Sequence, residues 1–130
     1  LNHDYQQNNT AANKFIGTND NLFQASNWSK GHIPNINEDV EIINVSTTNK
    51  SYLINTGATF NCQSMLIKGN ITFNNQGTIN VERSNGVALL IDSGVFFSNK
   101  TTINIKKACG DAMKILGTFE QKGFTNIIRN

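Results

Sequence analysis

The sequence predicts an all-β fold, a right-handed parallel β-helix (β-solenoid) with about 24 residues per coil and an N-terminal cap. The first observation is a repeat, because TINV at residues 78–81 returns as TINI at residues 102–105, 24 positions later. The second is that apolar residues alternate with polar ones within each repeat, which is the two-residue period of a strand. The third is that stretches containing Gly and Asn, such as KGN and RSNG, separate these segments and favour tight turns.

The first 39 residues lack the repeat and divide into an arm and a cap. Residues 1–14 are polar and aperiodic, so we expect a flexible arm or linker outside the core. Residues 15–39 are expected to cap the first coil, because an uncovered solenoid end exposes strand edges and apolar side chains. Glu38 and Asp39 are expected to finish the turn before the first strand. The predicted cap side chains are Phe15, Leu22, Phe23, Trp28 and Pro34.

The coils span residues 40–130 and, with the cap, form one predicted domain. A step of 24 positions between coils, or 25 from the first coil to the second, predicts one inward column of Ile54, Ile79, Ile103 and Ile127. Burying each inward Ile, Leu or Phe stabilises the fold by roughly 1.5–3 kcal/mol. The predicted core residues are Val40, Ile42, Ile54, Met65, Ile67, Ile71, Phe73, Ile79, Val81, Leu89, Ile91, Val95, Phe97, Ile103, Ile105, Met113, Ile115 and Ile127.

An outward row of asparagines follows from the same register. Asn104 stands one repeat after Asn80, and Asn55 stands one step of the longer first coil before Asn80. Side-chain amides stacked in this way hydrogen-bond along the stack. The sequence therefore predicts an asparagine ladder of Asn55, Asn80 and Asn104 on the solenoid surface.

A family resemblance rests on two stretches. SNWSKGHIPNINEDVEI, followed about twenty residues later by ATFNCQSMLIKGNITF, resembles the Trp-capped entry module of secreted and cell-surface β-solenoid proteins of Bacteroidota-type bacteria. The resemblance covers residues 15–73, and the later coils follow it more loosely. It implies a secreted, extracellular or cell-surface scaffold and does not imply a particular ligand.

The two cysteines are expected to remain buried thiols. With a 24-residue step, Cys62 corresponds to Gly86 and Gly110, so Cys109 lies two coils away and one residue out of phase. Two coils separate Cα atoms by roughly 9–10 Å, beyond the limit of about 7 Å for a disulfide.

Composition argues against several partners. Charged residues make up 15% of the chain, the net charge is +2 and asparagine is the most frequent residue, whereas a nucleic-acid surface needs clustered basic residues. Glu82 is the expected partner of Lys106 on the next coil. No apolar run approaches the roughly 20 residues of a membrane span. The TNDN stretch at residues 18–21 lacks the spaced acidic ligands of a calcium loop, so no metal or cofactor is expected.

Catalysis is not expected either. Glycoside hydrolysis needs two carboxylates about 5–10 Å apart, whereas Asp92 corresponds to Leu116 and Asp111 to Val87 on the neighbouring coils. His3 falls in the arm and His32 in the cap loop, so no Ser-His-Asp or Cys-His set forms.

The sequence indicates an extracellular structural subunit or module of a surface fibre, appendage or adhesin. Its expected partners are copies of itself, stacked head to tail, or further solenoid domains. The alternative is a carbohydrate-binding or accessory module of a larger secreted polysaccharide-active enzyme, with Tyr5 and Tyr52 as candidate aromatic contacts for sugar. The predicted assembly end consists of Met113, Ile115, Phe119 and Ile127.

Overall fold

The structure is a computed structural model that describes residues 11–129, and within them it forms an all-β parallel β-solenoid with a single short 3-10 turn at Ala25–Asn27. The predicted fold class and coil length are confirmed, while the right-handed sense stays a prediction. The strands are β1 (Asn13–Lys14), β2 (Asp39–Asn44), β3 (Lys50–Ile54), β4 (Thr59–Cys62), β5 (Ser64–Gly69), β6 (Ile71–Asn75), β7 (Thr78–Glu82), β8 (Leu89–Ile91), β9 (Val95–Asn99), β10 (Thr102–Lys106), β11 (Met113–Ile115), β12 (Thr118–Gln121) and β13 (Phe124–Ile128).

Three parallel sheets run along the solenoid. Each of the four full coils contributes one strand to each sheet, and β1 adds a fifth strand to the first sheet. The first sheet has the order β1-β2-β5-β8-β11, the second β3-β6-β9-β12 and the third β4-β7-β10-β13. Alternation places one set of side chains from every strand in the interior between the three sheets. The interior is therefore a stack of side-chain layers, one layer per coil.

The predicted register holds between the second and third coils. Ile79 lies opposite Ile103, and Ile71 lies opposite Val95, so both pairs keep the predicted repeat. Corner lengths change the register in the first coil. Residues 45–49 connect β2 to β3, whereas Asn70 alone connects β5 to β6.

As a result, the predicted step of 25 positions from the first coil to the second is correct for the first sheet only, where Val40 lies opposite Met65. Ile54 lies opposite Asn75, and Phe60 takes the predicted place of Ile54 beside Ile79. The predicted column from Ile54 to Ile79 was therefore wrong.

The last coil also departs from the repeat. Four positions separate Ile115 from Phe119, whereas six separate their partners Ile91 and Phe97. The corner between β11 and β12 is thus two residues shorter than the one before it. Consequently Ile127 lies opposite Ile105, and the predicted contact of Ile127 with Ile103 was wrong.

The interior is apolar and closely filled. Most predicted core residues are buried: Val40, Ile42, Ile54, Met65, Ile67, Ile71, Phe73, Ile79, Val81, Leu89, Ile91, Val95, Phe97, Ile103 and Ile105. Met113 is only partly buried, and Ile115 and Ile127 keep 44% and 49% of their surface exposed. These three lie on the outermost coil, which no further described strand covers, as their place in the predicted assembly end implies.

A column of aromatic rings connects the coils. Successive ring centroids of Tyr52, Phe73, Phe97 and Phe119 lie 6.3, 4.9 and 5.5 Å apart. Burial, with a smaller contribution from the Asp20 charge, raises the pKa of Tyr52 to about 12. Tyr52 therefore belongs to the core, and its expected role as an exposed sugar contact was wrong.

The cap is built from the predicted side chains and one additional strand. Leu22, Trp28 and Pro34 are buried, and Phe15 packs edge-on against Trp28 with ring centroids 5.3 Å apart. Phe23 packs against Phe60 in the same way at 6.0 Å.

The strand β1 corrects the expected boundary of the arm. It extends the first sheet by pairing in parallel with β2, and Asn13 is fully buried. Residues 13 and 14 therefore belong to the solenoid. The rest of the predicted arm, up to residue 10, with His3 and Tyr5, lies outside the described residues.

Candidate functional site

The C-terminal edge, defined as β11, β12 and β13, is the outermost strand of each sheet. Parallel edge strands turn part of their backbone N–H and C=O groups away from the sheet, where nothing in the described chain pairs with them. Ile115 and Ile127 point into the stack but remain about half exposed, whereas their partners Ile91 and Ile105 are fully buried. The edge thus combines backbone pairing capacity with apolar surface.

Other apolar side chains surround this edge. Leu116 and Phe124 are 57% and 71% exposed, and Ile128 is also exposed. Phe124 lies opposite Thr102 and Ile128 opposite Lys106, so both stand on the outer face of the third sheet.

The opposite end of the solenoid is closed. Trp28 lies over the first coil, and its indole Nε1–H donates to the Leu22 carbonyl at 2.9 Å. The Phe15 amide donates to the Glu41 carbonyl at 2.9 Å, and Phe15 forms an antiparallel bridge with Trp28. The two ends therefore differ in chemistry.

A buried polar cluster anchors the cap, and sequence reasoning missed it. Glu38 accepts from His32 Nε2 at 2.8 Å, from the Asn35 amide at 3.1 Å and from Asn13 Nδ2 at 3.3 Å. Lys30 Nζ lies 3.8 Å from the same carboxylate. Burial raises the pKa of Glu38, but these hydrogen bonds and the His32 charge outweigh burial and hold the pKa below its ordinary value of 4.5. Glu38 was expected only to finish a turn, and its carboxylate also connects β1 to the cap loop.

The outward asparagine ladder exists in a corrected register. Asn80 Nδ2 donates to Asn61 Oδ1 at 3.0 Å, and Asn104 Nδ2 donates to Asn80 Oδ1 at 3.0 Å. Asn126 Nδ2 extends the ladder to Asn104 Oδ1 at 2.9 Å. Asn55 was wrongly assigned to it and is exposed in the turn before β4, because the third-sheet register places Asn61 opposite Asn80.

A shallow polar groove lies over this ladder on the outer face of the third sheet. Its volume is about 290 Å³. Glu82 and Lys106 lie opposite each other in the strand register, but Glu82 forms its ion pair with Arg83, at 3.9 Å, and not with Lys106 as expected. The groove is lined by Ile36, Asn61, Asn80, Glu82, Asn104 and Lys106.

A second, interior ladder was not predicted. Asn75 and Asn99 are fully buried, and Asn75 Nδ2 donates to Asn99 Oδ1 at 2.9 Å. Asn99 Nδ2 in turn donates to Gln121 Oε1 and to the Phe124 carbonyl, both at 3.0 Å. Asn75 and Asn99 are separated by 24 positions, which is one coil, and this spacing could have predicted the interior ladder from the sequence. The ladder hydrogen-bonds the corners that lead into the third sheet.

The cysteines form no disulfide. Cys62 is buried opposite Val81, not in register with Gly86 as predicted, and burial together with the nearby Asp39 charge raises the pKa of its thiol. Cys109 is only partly buried, in contrast to the prediction, and its amide donates to the Ser84 carbonyl at 3.0 Å.

The remaining titratable residues do not converge within the described chain. Asp92 accepts from the Ser93 amide at 2.7 Å, and Asp111 is exposed. Among residues 11–129 no group of three or more His, Cys, Asp or Glu side chains could hold a metal ion. No helix in that part of the chain is long and apolar enough to cross a membrane.

Comparisons with protein-family models, with curated proteins and with solved structures found no match. The class of protein is therefore defined by its architecture, a parallel β-solenoid of about five turns.

Proposed function

We propose that this chain is an extracellular structural module of a surface fibre or adhesin, and that its C-terminal edge stacks on another solenoid unit. The carrying observation is the half-exposed pair Ile115 and Ile127 on unpaired edge strands, in columns that are fully buried one coil earlier. The resemblance of residues 15–73 to entry modules of Bacteroidota-type surface proteins supports the location and the scaffold role.

The edge offers two stabilising contributions to a partner. A strand added in parallel beside β13 would pair the outward backbone groups, as in β-augmentation. It would also bury the remaining surface of Ile115 and Ile127, each of which is worth roughly 1 kcal/mol at half of a full side-chain burial.

The proposed occupant is the cap end of a second copy of this chain. That end carries the Trp28 cap and β1, whose Lys14 amide donates to Ser29 Oγ and whose Lys14 carbonyl accepts from the Ser29 amide, both at 2.8 Å, so it differs from the C-terminal edge. Contacts between unlike ends are heterologous and generate open filaments unless the rotation closes a ring. Repetition of the contact would therefore build a fibre.

The experiment compares wild-type protein with Ile127→Lys by sedimentation velocity over a concentration series and by negative-stain microscopy. Wild-type protein is expected to form linear oligomers, and Ile127→Lys is expected to be monomeric because the partner would bury an unpaired ammonium group. Val45→Lys is the matched control, since Val45 is 94% exposed on the loop after β2. It should assemble like wild type.

Two results would overturn the proposal. One is a wild-type protein that stays monomeric at millimolar concentration. The other is oligomers that survive Ile127→Lys unchanged, which would place the contact elsewhere.

A further inference from the structure

We propose that the groove over the outward asparagine ladder binds a neutral saccharide. This inference goes beyond the structural role, because it uses the side of the solenoid and not its end. The ladder supplies a fixed row of amides on adjacent strands of the third sheet.

The hydrogen bonds within the ladder leave binding capacity. A side-chain amide has two N–H donors and two acceptor lone pairs. Asn80 uses one donor toward Asn61 and one acceptor toward Asn104. One N–H and one lone pair of Asn80, which lines the groove, therefore remain outside these ladder bonds. Because the ladder also fixes the amide plane, a ligand does not have to order this side chain itself.

The charges of the groove select the ligand class. Glu82 is an acceptor and Lys106 a donor, and their opposite signs give the groove no net charge. A phosphate ligand would be attracted by Lys106 but repelled by Glu82 at the opposite strand position. Vicinal hydroxyl groups of a sugar both donate and accept, so they match the mixed set of amide, carboxylate and ammonium groups.

Size and apolar contacts agree with a short saccharide. The volume of the groove, about 290 Å³, lies just below the range of about 300–1,000 Å³ for small-molecule sites. Ile36 forms an apolar wall on one side.

The test is a titration of the isotopically labelled full chain, observed by NMR at the side-chain amides of Asn61, Asn80 and Asn104. The probes are the neutral tetrasaccharides cellotetraose, chitotetraose and maltotetraose, with tetraethylene glycol as the non-sugar control. At least one tetrasaccharide is expected to shift the ladder amides saturably, while tetraethylene glycol leaves them unchanged.

A matched pair of variants locates the site. Glu82→Gln is expected to weaken the affinity about tenfold, since a hydrogen bond to a charged acceptor is replaced by one to a neutral amide. Glu120→Gln should leave it unchanged, because Glu120 pairs with Lys122 on the second sheet, away from the groove. Glu82→Gln should not alter end-to-end assembly, because Glu82 lies in β7 and not on the C-terminal edge, so failure of this proposal is distinguishable from failure of the structural one.

The proposal is overturned if no tetrasaccharide shifts the ladder amides, if tetraethylene glycol shifts them equally, or if Glu82→Gln and Glu120→Gln bind alike.

Discussion

Glu38 is a single residue that ties three segments together. Its carboxylate accepts from Asn13 in β1, from His32 in the cap loop and from the Asn35 amide. Only 10% of its side chain is exposed, so solvent screens these contacts weakly. A carboxylate in this setting stabilises the fold only while it is ionised.

At the residue scale we predict that Glu38→Gln lowers the free energy of unfolding by about 1–3 kcal/mol at neutral pH, the range for hydrogen bonds to a charged group. Urea denaturation measures this difference in the free energy of unfolding between wild type and Glu38→Gln. Because the folded-state pKa of Glu38 lies below its ordinary value of 4.5, its stabilisation is fully present above that value. This stabilisation is lost as the pH falls through the folded-state pKa of Glu38. The free energies of unfolding of wild type and Glu38→Gln should therefore converge in acid.

Glu41→Gln is the control for this prediction. Glu41 forms a longer, more exposed ion pair with Lys14 at 4.0 Å, and such pairs contribute about 0–1 kcal/mol. An equal loss in both variants, or a gap between wild type and Glu38→Gln that persists in acid, would contradict the assigned role of Glu38.

Corners and ladders set the register at the scale of single elements. Asn75 and Asn99 stand at equivalent corners and bond to each other, while Asn80 and Asn104 bond on the outer face of the neighbouring strands. The two ladders use the same chemistry. They differ in burial, since Asn99 is fully buried and Asn104 is partly exposed.

Burial therefore decides how much each ladder contributes. We predict that Asn99→Ala costs about 1–3 kcal/mol, because it leaves an Asn75 N–H without a partner in the interior. Asn104→Ala should cost less than about 1 kcal/mol, since water replaces the lost bonds. Midpoints of urea denaturation decide between them, and equal midpoints would refute the different roles of the two ladders.

The sequence was sufficient for strands, coil period and cap but not for register at every corner. Side-chain alternation and the repeat step identify Ile79 and Ile103 as stacked neighbours, and they are. Asn55 and Ile127 were misassigned because a change in corner length shifts the next strand without changing the alternation within it. Loop length is a weak local signal, since longer loops cost little free energy.

At the scale of the whole molecule, the two ends of the solenoid differ. Trp28 and Leu22 close one end, and Ile115 and Ile127 remain half exposed at the other. The exposure of Ile115 and Ile127 could be predicted from the repeat, which places both residues on the last coil. The polar cluster around Glu38 did not, because its partner Asn13 lies 25 residues away in a stretch without periodicity.

Hydrogen exchange of β13 as a function of protein concentration tests the open edge most directly. In dilute monomer, the outward-facing amides of β13 should exchange fast, whereas amides of β10, paired on both sides, should exchange slowly. At assembling concentration the β13 amides should slow toward those of β10. Exchange of β13 that does not change with concentration, or that already matches β10 in the monomer, would contradict the account.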